Sequence, residues 1–600
     1  MEEIIASYNE SRALRDLMLL LAPFQITPTA ATKIYDHFGA RSVDILRDNP
    51  FELCQVSGFG FKRVDAIMRK NNWPLNSPMR IRGAVFAALE SAKGDGGHLY
   101  LDAEQLHKEA MSLLNSMIPV PQMRVKSDDL DAVIDDMLLQ GKIINSNGNY
   151  YLVKTFAQED ETARSIARLL CRPVERVDVQ DLLTRVRRQL GVELSLRQTE
   201  AVHMVFRSDL SIITGSPGTG KTTVLKAVIE VFKLLKPSEK ILLAAPTGRA
   251  SRRMAESTGV NNASTLHSLL GLFGEDGGFR KGEEDMLDAG LIIVDESSMM
   301  DMWLARKFFS RIGPDTKVLL VGDADQLQSV GAGDVFRELI NCGLIPVTVL
   351  NEIFRQKKDS LIAYNAQKIN NNDTSFFYGN DFTVCKCANQ EEAAEHIRNI
   401  YLAQVKQYGV DRVQILSPFR STGATSADQL NEAIRELVNP QTEEADLKVG
   451  SLYFRVGDKI MQNKNSTKAS NGDIGFIRSF RHDERDGMRI AIQFSPTRVV
   501  EYSMEEMGHV ELAYATTVHK AQGSEFDVVI FPLLRSHARM LTRSLVYTAI
   551  TRAKAKVILV GQIGMLYMAV HKDDTGKRNT QLGRRITLYV NTFKVQKRSA

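Results

Sequence analysis

The stretch "LSIITGSPGTGKTT", Leu210 to Thr223, decides how the rest of the chain is read. An apolar run that reads as a strand ends in Gly215-Ser216-Pro217-Gly218-Thr219-Gly220-Lys221-Thr222, and an apolar-periodic helix follows. This matches the P-loop pattern in its strand–loop–helix setting. The glycines let backbone N–H groups wrap phosphate oxygens at a helix N-terminus, where the dipole favours anions. Lys221 is the residue to reach the β- and γ-phosphates of ATP, and Thr222, with Thr223 beside it, is the residue type to coordinate Mg²⁺. A purely structural glycine loop is the weaker alternative.

Two later strands end in matching chemistry. "LIIVDESS" sets Asp295 and Glu296 at the end of a buried run. An Asp there can hold Mg²⁺ through water, and an adjacent Glu can orient and deprotonate an attacking water. Two carboxylates ending an apolar strand are costly unless metal or solvent serves them. "LVGDADQLQSVGAG" then offers Gln326, a neutral side chain able to donate and accept at a γ-phosphate.

The chain has 600 residues, 44% apolar and 25% charged, an ordinary globular composition too long for one core, so three to five domains are expected. A net charge of +4 permits a nucleic-acid partner without arguing for one. The five cysteines, Cys54, Cys171, Cys342, Cys385 and Cys387, form no CxxC pair, and no His stands at a familiar zinc-ligand spacing from them. They read as buried or incidental thiols of a reducing compartment. "MEEIIASYNE" is acidic where a secretion signal is basic, and Leu17–Phe24 is far shorter than a membrane span. A cytoplasmic protein without membrane contact is the expectation.

Residues 1–78 read as short helices. "VSGFGFKRVDAIM" fits a glycine-x-glycine hairpin, with Val56, Phe59, Val64 and Ile67 as apolar contacts. "QITPTAATKI" repeats the spacing, with Gln25 and Thr27 where the glycines would stand. Gly58 and Gly60 would let backbone N–H groups approach a DNA phosphate. A plain helix–turn–helix core element fits the same residues. Residues 79–155 combine helical patterns with "GKIINSNGNYYLVK", where Asn147-Gly148 is a two-residue hairpin signal. A winged-helix-like module is expected, serving DNA or acting as a spacer, and 156–193 read as a helical linker.

From Leu194 strands alternate with helices: "LSIITG", "KILLAAP", "LIIVDE" and "KVLLVGD", then "VQILSPF", "VVIFPL" and "KVILVG". Such alternation predicts parallel sheets covered on both faces. Two groups, 194–348 and 349–600, imply two α/β domains. Residues 450–508 switch to β patterns and predict a small β-barrel insertion.

The ordered set "LSLRQTEAV", the P-loop, "APTGRASRRMAESTG", "STLHSLLG", "VDESSMMD", "GDADQLQSVGAG", "IFRQ", "LSPFRSTGA", "NGDIG", "TVHKAQGSEFD" and "YTAITRAKAKVILVG" resembles the RecD-like group of superfamily 1 helicases. "NPFELCQVSGFGFKRVDAIM" resembles the helix-hairpin-helix region of its long-form ATP-dependent DNA helicases. The resemblance implies two RecA-like P-loop domains, an SH3-like β-barrel insertion, and helical helix-hairpin-helix and winged-helix-like modules before them. It implies ATP and Mg²⁺ as cofactors, and 5′–3′ movement on single-stranded DNA with unwinding of duplex in repair or recombination. Single-stranded DNA and single-strand/duplex junctions are the implied partners, with single-strand-binding or repair proteins as candidates.

By the same resemblance Gln198 is the adenine-reading glutamine, and Arg355 and Arg552 are the arginines offered to the γ-phosphate. A guanidinium suits charge developing on a transferred phosphoryl group. Thr247, His267, Arg420, Thr517 and His519 line the single-strand track in relatives. Gly523 and Glu525 approach the nucleotide, which makes "TVHKAQGSEFD" a loop facing both ligands. The segment Leu272–Met286 occupies the place of a strand-separating pin. The chain departs from the pattern at Gln328, where relatives have proline, and at Val64, where the hairpin prefers alanine; long-form relatives also begin with a further domain. Other readings are a DNA-stimulated translocase that remodels protein–DNA complexes without separating strands, an ATP-switched DNA-binding repair scaffold, and the motor subunit of an exonuclease complex. No nuclease constellation is visible in the sequence.

Overall fold

The computed structural model describes residues 2–22, 26–56, 58–173, 177–260, 262–273, 278–279, 285–352, 360–441, 446–483, 487–573 and 578–599. They divide into two compact units, one of residues 1–160 with 331–333 and 578–581, the other holding the remainder.

In the first unit the glycine hairpin lies between the short helix Pro50–Gln55 and the helix Phe61–Lys70. Val56, Phe59 and Val64 are buried in one apolar cluster that runs from Leu17 to Ile143, and Ile67 packs against it. Val64 is fully buried, so the larger side chain is absorbed by this core. The counterpart Gln25 lies outside the described residues, and Thr27 caps the helix Pro28–Phe38 by accepting from the Ala30 N–H. Arg80, 1% exposed, pairs with buried Asp65 and donates to the Leu75 and Leu114 carbonyls. Every partner of that guanidinium comes from a different element, so the pair fixes the hairpin on the helices that follow. A buried ion pair with its other donors satisfied sets geometry more than it adds stability.

The helices Pro78–Gly96, Ala103–Asn115 and Ser127–Leu139 pack with a three-stranded antiparallel sheet of Tyr100–Asp102, Asn149–Leu152 and Ile143–Ser146. Asn147 and Gly148 both have positive φ, 56° and 83°, as a two-residue hairpin turn requires. Two distant pieces of chain complete this unit: the Asn579 amide donates to the Tyr100 carbonyl and to Gln105, and Arg578 donates to the Gly331 and Gly333 carbonyls.

The second unit contains two parallel sheets. The first runs Val347–Leu350, Leu210–Gly215, Lys317–Gly322, Leu291–Val294, Ile241–Ala245, Ala263–Thr265. The second runs Phe382–Lys386, Ala553–Gly561, Phe526–Leu533, Val413–Ser417, Ala515–Thr517. All seven strands anticipated from apolar runs occupy interior positions of these sheets. The four that were not anticipated are the four edges. Interior strands are covered by helices on both faces and so must be continuously apolar, as Leu291–Val294 is, with every residue buried. Edges carry mixed burial and polar residues, such as Ala263–Thr265, and leave no such signature.

An antiparallel five-stranded sheet is inserted in the second lobe, in the order Arg498–Ser503, Gly487–Ser495, Ile474–Asp483, Lys459–Gln462, Val510–Leu512. In the first lobe Leu272–Phe273 pairs antiparallel with Gly278–Phe279, a short hairpin in the segment compared with a pin. Among the described residues, no helix is long and apolar enough to cross a membrane.

Candidate functional site

The P-loop leaves the interior strand Leu210–Gly215 and enters the helix Lys221–Leu235. Gly218 and Gly220 have φ of 87° and 83°, which only glycine adopts without strain. At Gly215 a Cβ would lie 2.5 Å from the Leu350 carbonyl, so the loop can close against the neighbouring strand only with glycine there. Thr219 Oγ1 donates to the Ser216 carbonyl at 2.8 Å, and the Lys221 ammonium donates to the carbonyls of Gly215 and Ser216. Ser216, Pro217, Thr222 and Thr223 are half-buried around it. Gln198 is almost fully buried: its Oε1 accepts from the Ser195 N–H and its Nε2 donates to the Thr219 carbonyl. In this state the glutamine braces the P-loop from behind as well as capping its own helix.

Asp295 follows the strand Leu291–Val294 two strands away in the same sheet. Burial and the neighbouring Glu296 carboxylate push Asp295 up to about 6, against the pull of Arg253 and Lys221. Glu296 has φ 51°, an unusual conformation for a residue with a Cβ, and donates its N–H to Asp295 Oδ1 at 2.8 Å. Left-handed backbone of this kind costs about 1–3 kcal/mol and persists where surrounding contacts impose it. The raised carboxylate, at hydrogen-bond range of few donors and beside the P-loop lysine, is a donor set that a divalent cation would neutralise.

Gln326 is buried and its Nε2 donates to Asp323 Oδ2 at 3.1 Å. The same oxygen accepts from the hydroxyl of Tyr547 at 2.9 Å, and Tyr547 belongs to the second lobe, on the helix Arg543–Ile550. One residue further, Thr548 Oγ1 accepts from the Leu327 N–H at 2.9 Å. The Leu327 carbonyl in turn accepts from Gln522 Nε2 at 3.1 Å. Three hydrogen bonds therefore tie the Gln326 loop of one lobe to two segments of the other. Gln328, standing in place of proline, donates to Asp334 Oδ2 at 2.6 Å, so the loop is held by a side-chain bond where a ring would have held it.

Arg552 lies at the end of the same helix, 2% exposed, with its guanidinium donating to the carbonyls of Thr548 and Ser524. Arg355 lies outside the described residues. Glu525 pairs with Arg253 of the first lobe at 2.7 Å and with Lys554 at 3.2 Å. Gly523, φ 70°, sits so close to the first lobe that a Cβ would lie 3.2 Å from Thr247 Oγ1. Both residues of "TVHKAQGSEFD" expected near the nucleotide thus face the first lobe.

Thr247 caps the helix Gly248–Thr258 by accepting from the Ala250 N–H, leaving its hydroxyl proton free to donate elsewhere. His267 lies 6.0 Å from the Trp303 ring at a 30° tilt, and burial lowers its pKa. Thr517 Oγ1 accepts from the Lys520 N–H, His519 is half-buried two residues on, and exposed Arg420 pairs with Glu511 at 3.3 Å. Gly58, φ 92°, and Gly60 are both exposed, with nothing within 4 Å of an added Cβ; the Gly58 carbonyl accepts from the Arg63 side chain and the Gly60 carbonyl from the Arg63 and Val64 N–H groups.

The three arginines of "GRASRR" meet partners that their sequence neighbourhood does not announce. Arg252 pairs with buried Asp473 of the barrel, Arg253 with Glu525, and the half-buried Arg249 guanidinium lies 4.9 Å over the Phe526 ring. Burial and its two arginine neighbours push Arg249 down to about 10. A run of arginines immediately after a strand-end Thr was the available signal. Tyr547, Thr548 and Gln522 gave none, since each reads locally as an ordinary helix or loop residue.

Two parallel sheets, one bearing a P-loop and an acidic strand end and the other closing on them, define a RecA-type P-loop nucleoside triphosphatase. Residues 198–332 match the AAA domain family, 512–560 the UvrD-like helicase C-terminal domain, 430–494 the ATP-dependent RecD-like DNA helicase SH3 domain, and 10–100 the ATP-dependent RecD2 DNA helicase HHH domain. The chain is 30% identical over 598 residues to the ATP-dependent RecD2 DNA helicase of Deinococcus radiodurans, covering 98% of this chain and 80% of that one. It is 29% identical over 418 residues to the RecBCD enzyme subunit RecD of Mycolicibacterium smegmatis, covering 62% of this chain and 72% of that one. Among solved structures, the Pif1 helicase from Candida albicans aligns at 17% identity with a TM-score of 0.40, over 67% of this chain and 99% of that one. The chain belongs to the RecD2 family of ATP-dependent DNA helicases.

Proposed function

We propose that the chain hydrolyses ATP between its two RecA-like lobes and uses the cycle to move 5′ to 3′ along single-stranded DNA. In doing so it separates duplex at single-strand/duplex junctions, in cytoplasmic DNA repair or recombination. The observation that carries this reading is the set of bonds from Tyr547, Thr548 and Gln522 to the Gln326 loop. Asp323 and Leu327, on either side of the proposed γ-phosphate sensor Gln326, are bonded to the second lobe, so in this reading a change at the nucleotide is a change in how the lobes hold one another.

In this mechanism backbone N–H groups of Gly218 to Thr222 hold the phosphates, and Lys221 exchanges its loop carbonyls for phosphate oxygens. Gln198 orients adenine next to the Thr219 carbonyl. Thr222 and Asp295 are the residues to hold Mg²⁺, which when bound neutralises phosphate charge. Glu296 takes the proton of the attacking water, and its constrained backbone fixes the carboxylate's direction. Gln326 donates to the γ-phosphate, while Arg552 and Arg355 stabilise charge developing on it. Thr247, His267, Arg420, Thr517 and His519 contact the DNA backbone. Because Gly523 abuts Thr247 and Glu525 pairs with Arg253, strand grip and lobe closure share one loop. Gly58 and Gly60 offer backbone N–H groups to a further phosphate, and the chain is proposed to lack nuclease activity of its own.

Strand displacement with ATP and Mg²⁺ on duplexes bearing a 5′ tail, a 3′ tail or blunt ends tests this reading. Displacement from the 5′ tail alone is expected. Displacement only from the 3′ tail overturns the polarity, and ATP turnover without displacement from any substrate replaces unwinding with translocation.

A further inference from the structure

Far along the chain from the nucleotide residues, three ligand-type side chains converge where the edge strand Phe382–Lys386 turns into the helix Gln390–Tyr408. Cys385 and Cys387 stand two residues apart in extended chain, which continues past the strand as the Cys387 N–H donates to the Gly561 carbonyl. Residues two apart in extended chain share a face. On the helix, Glu392 and His396 stand four apart and likewise share a face. The corner brings the Cys385 Sγ, the Cys387 Sγ and a His396 ring nitrogen within 4.8 Å of one another.

We propose that Cys385, Cys387 and His396 form a Zn²⁺ site, with the Glu392 carboxylate at its open side. Zinc bound to sulfur at about 2.3 Å and nitrogen at about 2.0 Å in a tetrahedron separates ligand atoms by roughly 3.4–3.8 Å. The three atoms here are at most about 1.4 Å wider than that, a gap side-chain rotations can close. Two thiolates and an imidazole are the ligand types zinc selects over magnesium. Glu392 Oε1 lies 3.7 Å from His396 Nε2, and its Oε2 accepts from the Ala388 N–H at 2.7 Å, so the backbone holds the carboxylate at this corner. Cys387 is buried while His396 is 42% exposed, which leaves a path for the ion to enter. The ion would staple the edge strand to its following helix, at the margin of the second sheet where strand pairing is one-sided.

The test uses the full chain, purified without nucleotide under reducing conditions and loaded with Zn²⁺ alone. Metal analysis after gel filtration is expected to find about one zinc per chain. Co²⁺ in its place is expected to give the intense near-ultraviolet thiolate-to-metal absorption, with visible bands of tetrahedral coordination. Both signals should vanish in the Cys385→Ser/Cys387→Ser double variant and persist in the Cys54→Ser/Cys171→Ser/Cys342→Ser triple variant. His396→Asn, at a half-exposed position that tolerates the change, should weaken Zn²⁺ binding by roughly tenfold or more. Circular dichroism confirms that each variant is folded. Far less than one zinc per wild-type chain, zinc retained unchanged in the double variant, or a Cys385–Cys387 disulfide formed in preference to metal binding would each overturn the site.

Discussion

Tyr547→Phe removes one oxygen atom and isolates the lobe-to-lobe bond that carries the proposed coupling. Tyr547 is completely buried, so the ring keeps its packing while the hydroxyl's donation to Asp323 Oδ2 and its bond with Ser216 of the P-loop are lost. Asp323 is 1% exposed and keeps its bonds from Gln326 Nε2 and from the Asp325 N–H at 3.1 Å, so its carboxylate is left one donor short. A hydrogen bond to a charged group contributes about 1.5–3 kcal/mol net. At about 1.4 kcal/mol per tenfold, the closed arrangement of the lobes is weakened roughly 10- to 150-fold relative to the open one. The Leu327–Thr548 and Gln522–Leu327 bonds remain, which places the expectation at the lower end, about 10- to 30-fold. Steady-state ATP turnover at saturating oligo-dT should fall by that factor, and amide exchange across residues 323–328 should accelerate with it. Affinity for oligo-dT without nucleotide should stay within roughly twofold, because the substitution lies outside the residues assigned to DNA. Wild-type turnover together with unchanged exchange at 323–328 would refute the argument that the helix Arg543–Ile550 holds the Gln326 loop.

Lys221→Ala is expected to abolish ATP turnover while leaving oligo-dT binding measurable by fluorescence anisotropy; loss of both would show that the ATP and DNA sites are not separate. His519→Ala should keep DNA-stimulated turnover and lose strand displacement, and parallel loss of the two would remove His519 from the coupling. Oligo-dT binding should weaken with salt by about 0.7 log units per decade for each phosphate contacted, and a flat dependence would argue against backbone recognition. His537 is buried against Phe419 and Thr425, and burial pushes its pKa down to about 4. The unfolded chain therefore binds the proton first as pH falls, and stability present above the ordinary histidine value of about 6.5 is lost progressively toward pH 4. His537→Gln should narrow the difference between melting temperatures at pH 5 and pH 7.5, and an unchanged difference would assign the acid sensitivity elsewhere.

Much of this molecule is written locally. The P-loop is legible because each glycine answers a geometric demand at one point of the chain: positive φ at Gly218 and Gly220, close approach at Gly215. Interior strands are legible because burial on both faces forces an unbroken apolar run. The turn at Asn147-Gly148 is legible for the same reason of local conformation. Edge strands are not, since nothing in their composition separates them from loops until a neighbour pairs with them.

Partnership across the chain is what only the tertiary structure decided. Tyr547 and Asp323 are 224 residues apart, Gln522 and Leu327 are 195 apart, and no local pattern announces either pair. "TVHKAQGSEFD" was readable as a loop for two ligands, yet its Gly523 and Glu525 turn out to meet Thr247 and Arg253 of the opposite lobe. Cys385, Cys387 and His396 fit no familiar ligand spacing, because strand and helix repeats differ and only their corner brings the three together. Sequence determines what each residue can donate, accept or bury. Which two groups meet depends on how the chain packs, and in a motor that is where hydrolysis becomes movement.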